Sequence, residues 1–518
     1  VSDLSQIVKA YDIRGVVPDQ WDESVAELFG AAFVTVTAAD AIVVGHDMRP
    51  SSPGLSRAFA RGAAARGASV TEIGLCSTDE LYFASGQLDL PGAMFTASHN
   101  PAQYNGIKMC HKGAAPVGQD TGLADIRALA EQWSGNGAPD PAATAGVITQ
   151  RDVLADYAGY LRGLVDLGGI RRLKVVVDAG NGMGGHTVPT VFAGLPLDLV
   201  PLYFELDGTF PNHEANPLDP KNLVDLQAKV LETGADLGLA FDGDADRCFA
   251  VDERGEPVSP SAITALVAAR ELAKHPGGTI IHNLITSWSV PEVVAEHGGK
   301  TVRTRVGHSF IKQEMARTGA IFGGEHSAHY YFREFWNADT GMLAALHVLA
   351  ALGAQDGTLS ELVAEYDRYA ASPARSTAPS PTRRAGWPRS AARTRAGRAS
   401  NSTNSTASRS RRPTGGSTSA PPTPSRCSAS TWRPATRPPW RASATKPSPS
   451  SGPDAAPTSR VNTASALAGK VFLVGGVRRG ASHGGGSSSY RGVLGRLRQR
   501  SEVPCRASRT GEPFRPEH

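Results

Sequence analysis

Up to about residue 370, short apolar and β-branched runs keep exchanging with longer stretches of helical period, and few architectures accommodate that rhythm. Strands are expected at Ala41–Val44, Lys174–Asp178, Leu237–Asp242 and Thr279–Ile281, and helices at Trp21–Ala39, Leu123–Trp133, Ser261–Lys274 and Thr340–Leu352. Such alternation over about 30 residues implies layered α/β domains whose sheets are covered by helices. Gly- and Pro-rich joints near 135–145 and 253–260 mark domain boundaries. The expected division is 1–145, 146–255 and 256–370, with 371–518 set apart. The apolar run Met342–Leu352 is interrupted by His347 and is too short to span a bilayer, so it reads as a buried helix. The N-terminal VSDLSQIVKAYDIRG lacks both the basic and the long apolar region of a secretory signal, so no membrane partner and a cytoplasmic location are expected.

Beyond Ala370 the rhythm stops. Residues 371–460 are mostly Ser, Thr, Pro, Ala and Arg and follow no apolar period, a composition that cannot offset chain entropy by burying a core. This stretch holds 15 Arg and one Lys against Asp454 alone, so within an overall charge of +4 the rest of the chain is acidic. The basic average is therefore no argument for a specific nucleic-acid partner. Five scattered cysteines, Cys76, Cys110, Cys248, Cys427 and Cys505, form no CxxC pair and fit a reducing compartment. The first three are expected to be small buried apolar groups.

Three constellations carry chemistry. Thr96-Ala97-Ser98-His99-Asn100-Pro101, with Tyr104-Asn105-Gly106-Ile107-Lys108 after it, follows an apolar approach and sets a serine on a short turn. Such a hydroxyl can accept a phosphoryl group, with backbone N–H groups, His99 and Lys108 to stabilise its charge. Asp242-Gly243-Asp244-Ala245-Asp246-Arg247 directly follows an expected strand. Its three alternate carboxylates, with Gly243 allowing a tight turn, can converge on one hard cation such as Mg²⁺, and ligands of open α/β sheets gather beyond the carboxyl ends of strands. Gly324-Glu325-His326-Ser327-Ala328-His329 offers alternating acceptor, hydroxyl and imidazole groups suited to sugar hydroxyls, while His326 with His329 is an alternative metal pair. Smaller elements are Tyr11-Asp12-Ile13-Arg14-Gly15, His46-Asp47-Met48-Arg49-Pro50, Asp178-Ala179-Gly180-Asn181-Gly182 and Arg305-Val306-Gly307-His308-Ser309. Each of these alone reads as structural.

Taken together and in order, these residues resemble the α-D-phosphohexomutase family, in its bacterial phosphomannomutase/phosphoglucomutase branch. TASHNP resembles its phosphoserine loop, DGDADR its metal loop and GEHSAH its sugar-recognition loop, with Ala328 in place of a usual glycine. YDIRG and Pro211–Leu218 also match family patterns, and the likeness covers about the first 370 residues. The resemblance implies three consecutive α/β/α layered domains around a cleft, with the family's fourth α+β domain replaced by a disordered basic tail. It implies a phosphorylated Ser98 and Mg²⁺ held by Ser98, Asp242, Asp244 and Asp246. Catalytic groups would be Arg14, His99, Lys108, Arg247, His308 and His329. Tyr11, Glu325, Ser327 and His329 would bind the substrate. A hexose phosphate would pass through a hexose 1,6-bisphosphate, with mannose phosphate as main substrate and glucose or glucosamine phosphate as alternatives. Trp288 stands where similar sequences suggest Arg, which would weaken a local ion pair. From another class, an inactive sugar-phosphate-binding protein is the competing reading.

The family's distal phosphate clamp, R-x-S-N-T-E-P, is missing from the chain. One permitted back-translation of Ser417–Ser428, read one base earlier after a preceding t, gives FNLRASNTEPLL, and Pro373–Thr377 read in the same frame gives GEIN. A slip of the reading frame near Ser372, biological or in the underlying DNA sequence, is therefore expected. A chain with this C-terminus is expected to lose much of its activity, because one phosphate of the bisphosphate would lack its clamp.

Overall fold

The computed structural model describes residues 3–138 and 140–369. The expected basic tail, the lost clamp and the shifted frame all fall beyond 369, outside the described residues.

The first sheet is built from β1 (Ile13–Val16), β2 (Ala41–His46), β3 (Ser69–Leu75), β4 (Gly92–Phe95), β5 (Tyr104–Cys110) and β6 (Ile148–Gln150), in the order β1-β5-β4-β2-β3-β6. Its helices are α1 (Glu23–Thr37), α2 (Ser52–Ala65), α3 (Thr78–Leu88) and α4 (Leu123–Asn136). Strand alternation is visible in the packing. Ile42, Val44, Ala93, Phe95 and Ile107 enter one core with α1 and α2, whereas Val43, Met94 and Cys110 enter another, reached from the opposite face. Both faces are thus covered, as the apolar runs require. Because β6 pairs with β3, this sheet continues past residue 145, the expected boundary.

Next come α5 (Leu154–Leu164), β7 (Leu173–Asp178), α6 (Gly184–Val191), β8 (Leu197–Leu202), α7 (Val224–Thr233), β9 (Leu237–Phe241), β10 (Cys248–Asp252) and β11 (Pro257–Val258). The last unit holds α8 (Pro260–Lys274), β12 (Thr279–Asn283), α9 (Ser289–Glu296), β13 (Lys300–Thr304), α10 (His308–Thr318), β14 (Phe322–Gly324), β15 (Tyr330–Phe332), β16 (Ala338–Asp339), α11 (Gly341–Gly353) and α12 (Leu359–Ala364). Their sheets run β11-β10-β9-β7-β8 and β16-β15-β14-β12-β13. The fold is therefore three sequential α/β/α domains.

All three sheets share one pattern. A parallel strand (β4, β9, β14) turns back into an antiparallel neighbour (β5, β10, β15). The turns fall at residues 96–103, 242–247 and 325–329, so each of the three polar constellations occupies the same topological place in its own domain.

Helix α11 is buried along its whole length and packs on α8 and β10, bridging the second and third domains. A fully buried Leu or Val side chain contributes about 1.5–3 kcal/mol, so Leu343, Leu346, Val348, Leu349 and Leu352 make this helix a principal attachment. His347, which interrupts the run in sequence, stacks on Phe332 with rings 5.4 Å apart. Cys76, Cys110 and Cys248 are buried and free. Trp288 is exposed, and the Arg303 guanidinium lies 5.3 Å from its ring, so a cation–π contact stands there. No helix among the described residues is long and apolar enough to cross a membrane.

Candidate active site

Strand β4 delivers Thr96-Ala97-Ser98 to the carboxyl edge of the first sheet. Ser98 is buried, has φ +49°, and anchors its N–H on Thr96 Oγ1 at 2.9 Å. A left-handed serine costs of order 1–3 kcal/mol and persists only where its surroundings impose it. Arg49 is what imposes it. This fully buried guanidinium, entering from the β2–α2 turn, donates to four backbone carbonyls: Ser98 at 2.8 Å, Asn100 at 2.7 Å, and Pro101 and Tyr104 at 2.9 Å each. Asp47 holds it from behind at 3.2 Å. Arg14 braces the same loop by donating to Asn100 Oδ1 at 2.8 Å.

The Ser98 hydroxyl reaches across the domain boundary and donates to Asp242 Oδ2 at 2.8 Å. His99 Nδ1 lies 3.2 Å and Arg247 Nη2 3.3 Å from Ser98 Oγ, and Arg247 also touches His99 Nδ1. Burial first, then the charges of Arg247 and Arg14, hold His99 down to about 3, so it is neutral at pH 7. A Cβ on Gly243 would stand 2.5 Å from the Ser98 carbonyl oxygen. Gly243 therefore serves close approach of the two loops. The tight turn falls instead on Ala245, at φ +60°.

Asp242, Asp244 and Asp246 bring ligand-competent oxygens within 4.8 Å of one another, all buried. Lys108 Nζ lies 2.7 Å from Asp244 and 2.6 Å from Asp246, and Arg247 Nε lies 3.0 Å from Asp242. Burial pushes Asp242 up against the pull of Arg247, whereas at Asp246 burial is overcome by Lys108, His329 and Arg247 together, which hold it at about 2. Two cations thus face three carboxylates. Asp244 Oδ1 and Asp246 Oδ1 are nevertheless buried without a hydrogen-bond partner, and orphaned carboxylate oxygens at such a spacing suit a divalent cation. Thr78, at the start of α3, fixes the loop by donating its N–H to the Asp244 carbonyl at 3.1 Å and its hydroxyl to Asp244 Oδ2 at 2.6 Å.

An isolated antiparallel bridge between Arg247 and His329 joins this loop to the third one. The third loop is a tight turn, with Ala328 N–H bonded to the Glu325 carbonyl and Ala328 at φ +64°. Glu325 is buried and accepts from Tyr331 Oη at 2.7 Å, Asn283 Nδ2 at 3.0 Å and the Gly307 N–H at 3.1 Å. His329 Nδ1 lies 3.1 Å from Ser327 Oγ, and its Nε2 lies 3.6 Å from Asp246 and 4.0 Å from Asp339. His326 is not paired with it, and meets Ser261 Oγ at 3.1 Å instead. Asp339 is paired with Lys312 at 2.7 Å. His308 packs edge-on against Tyr11 with ring centres 4.4 Å apart, tying the third domain to the first, and burial followed by Lys312 holds it at about 3.

The folded chain thus brings Ser98, His99, Lys108, Asp242, Asp244, Asp246, Arg247 and His329 into one connected cluster. Glu325 and Ser327 join it through His329 and Arg14 through the serine loop, while Tyr11 and His308 form a flanking pair. Arg49 was legible only as a polar residue after a strand. Lys312 and Asp339 carried no signal, because their partnership is made by the third domain's packing.

A serine hydroxyl facing a cation-competent carboxylate cluster, beside a loop of sugar-type ligands, defines an enzyme of phosphoryl transfer between sugar positions. The phosphoglucomutase/phosphomannomutase profiles match in order: α/β/α domain I at residues 5–135, domain II at 155–255 and domain III at 259–369. A phosphomannomutase of Escherichia coli is 42% identical over 375 residues, which span 71% of this chain and 81% of the relative. Phosphohexose mutases of Xanthomonas campestris pv. campestris are 42% identical over 358 residues, 68% of this chain and 79% of theirs. The crystal structure of a phosphoglucomutase/phosphomannomutase family protein from Burkholderia thailandensis superposes with a TM-score of 0.63 at 35% identity, covering 69% of this chain and 78% of that one. The chain belongs to the α-D-phosphohexomutase superfamily, in its bacterial phosphomannomutase/phosphoglucomutase branch.

Proposed function

We propose that the chain interconverts mannose 6-phosphate and mannose 1-phosphate through a phosphorylated Ser98 and a hexose 1,6-bisphosphate. The observation that carries this reading is the 2.8 Å contact between the Ser98 hydroxyl and Asp242, made across two domains. Phospho-Ser98 gives its phosphoryl group to the free sugar hydroxyl, the seryl P–O bond breaking as the sugar O–P bond forms. The bisphosphate turns around, and its other phosphate returns to Ser98. Mg²⁺ held by Asp242, Asp244, Asp246 and the seryl phosphate would neutralise charge on the transferring group. Arg247 would stabilise the same oxygens, and Arg14 would keep the loop in place.

The proton of the attacking hydroxyl needs an acceptor, and the commitments of the other candidates favour His329. Burial is outweighed at Lys108 by Asp244 and Asp246, which keep it protonated. His99 is engaged with Ser98 and Arg247, and His308 packs against Tyr11 in the contact between the first and third domains. His329 is partly open to solvent and sits on the sugar loop, with Glu325 3.7 Å from its Nδ1. Glu325 and Ser327 would read the sugar hydroxyls, with Tyr11 flanking them. The phosphomannomutase relatives support mannose, and glucose or glucosamine phosphate is the second reading. The division at 1–145, 146–255 and 256–370 is proposed with this function only with its joints moved to about 150 and 258, since β6 and β11 complete the first and second sheets.

Mixing the phosphorylated enzyme with mannose, glucose and glucosamine 1-phosphates in turn should give the largest kcat/KM for mannose 1-phosphate, and a larger value for either rival would reassign the substrate. Mg²⁺ at 100 times its dissociation constant should stabilise the fold by about 2.7 kcal/mol, read as a rise in Tm. Asp244→Ala should abolish that rise. An unchanged Tm across a full Mg²⁺ titration would remove the metal from the proposal.

A further inference from the structure

Asp79, the second residue of α3, lies outside every loop described so far. It is 1% exposed, and its carboxylate meets hydroxyls from all three domains. Ser77 Oγ of the first domain donates to Oδ1 at 2.5 Å, Tyr157 Oη of α5 in the second domain donates to Oδ2 at 2.7 Å, and Thr340 Oγ1 of the third domain donates to the same Oδ2 at 2.7 Å. All three donors are buried. A carboxylate taken out of water needs every one of these bonds, because no solvent stands ready to replace a lost donor.

Two of the donors lead back to the reaction centre. Ser77 and Thr78 start the helix whose Thr78 holds Asp244. Thr340 follows Asp339, the partner of Lys312 and neighbour of His329, and caps α11 through Leu343 N–H. Around the carboxylate, Phe83 of α3 packs on Tyr157 and Tyr160 of α5 and on Trp336 of the third domain, with ring centres 5.9, 5.5 and 6.2 Å away. Gly86 lets Trp336 lie against α3, since a Cβ there would stand 2.3 Å from the indole. The aromatic contacts attract the domains but tolerate sliding. A carboxylate with three fixed donors tolerates one arrangement.

We infer that Asp79 is a positioning residue: it clamps Tyr157 of the second domain and Thr340 of the third onto the first, and so fixes the register in which Ser98, the aspartate cluster and His329 meet. The inference rests on the mutase reading for its effect on turnover, though not for the clamp itself. Misplacing reacting groups by about 1 Å can cost about 100-fold in rate.

Asp79→Leu, of similar shape and without acceptors, should therefore lower kcat about 10- to 100-fold while KM moves less than about 3-fold. Asp79→Asn should restore most of the rate, because its carbonyl oxygen can take Tyr157 and Thr340 while its amide donates to Ser77 Oγ. Tyr157→Phe, which removes one hydroxyl at nearly unchanged shape, should show a smaller loss of the same kind and serves if the leucine variant fails to fold. Wild-type turnover in all three variants would overturn the inference, as would an asparagine variant as slow as the leucine one. If the wild-type chain turns over none of the hexose phosphates, the mutase reading fails on its own. Hydrogen exchange then decides the clamp: α5 and the β16–α11 corner should lose protection in Asp79→Leu or Tyr157→Phe, and unchanged protection would overturn it.

Discussion

Ser98→Ala is expected to take up no phosphate from hexose 1,6-bisphosphate and to lower kcat/KM by about 10⁴-fold or more, since it removes the proposed carrier of the phosphoryl group between the two half-reactions. The position makes the result clean. Ser98 is already left-handed and pinned by carbonyls that alanine also has, so the loop should keep its shape. What disappears is one hydroxyl, with its bond to Asp242 and its contacts with Arg247 and His99. That loss costs about 1 kcal/mol of stability, too little to unfold the chain. Intact protein mass after exposure to the bisphosphate, read beside steady-state turnover, checks both halves. An alanine variant that still gained a phosphate would place the carrier elsewhere, and one that bound hexose phosphates as the wild type does, in a wild type that never turned over, would support the competing binder.

Arg49→Met should damage stability as much as activity. It strips four backbone carbonyls of their shared donor and leaves Asp47, buried and deprived of its countercharge, beneath the serine loop. Breaking a buried pair from one side costs about 3–5 kcal/mol, which urea denaturation would read directly. Turnover should fall about 100-fold once the loop is free to relax. Arg49→Lys should recover little, because an ammonium has three donors on a compact head and cannot span acceptors spread over four residues. Adding Asp47→Asn to Arg49→Met should return part of the stability but none of the turnover, since the loop still lacks its brace. A methionine variant within 1 kcal/mol of wild type would mean that other contacts hold the turn.

How much of this was readable from residue order depends on the range of the forces involved. Strand Lys174–Asp178 needed one residue more at its start, and helix Ser261–Lys274 began one residue earlier, because period and burial are properties of a local run. The DGDADR carboxylates were legible because alternation along a short loop already sets their spacing. Gly243 was read for its backbone freedom, yet what matters is the space it leaves for the Ser98 carbonyl 145 positions earlier in the chain, and no local pattern encodes that. Ala328 was recognised as a departure from the family, whereas its left-handed backbone emerges only once Glu325 and His329 close the turn. Arg49, Asp79, Lys312 and Asp339 belong to the same class. Each is an ordinary polar residue until a distant segment supplies its partner.

The three hairpins at 96–103, 242–247 and 325–329 are one device used three times on a repeated scaffold. On the proposed reading, nucleophile, charge sink and ligand reader each occupy a turn of their own. The last turn is still tied to the second by the Arg247–His329 bridge, so a change in its sugar-facing groups would leave the chemistry intact only where His329 keeps its place.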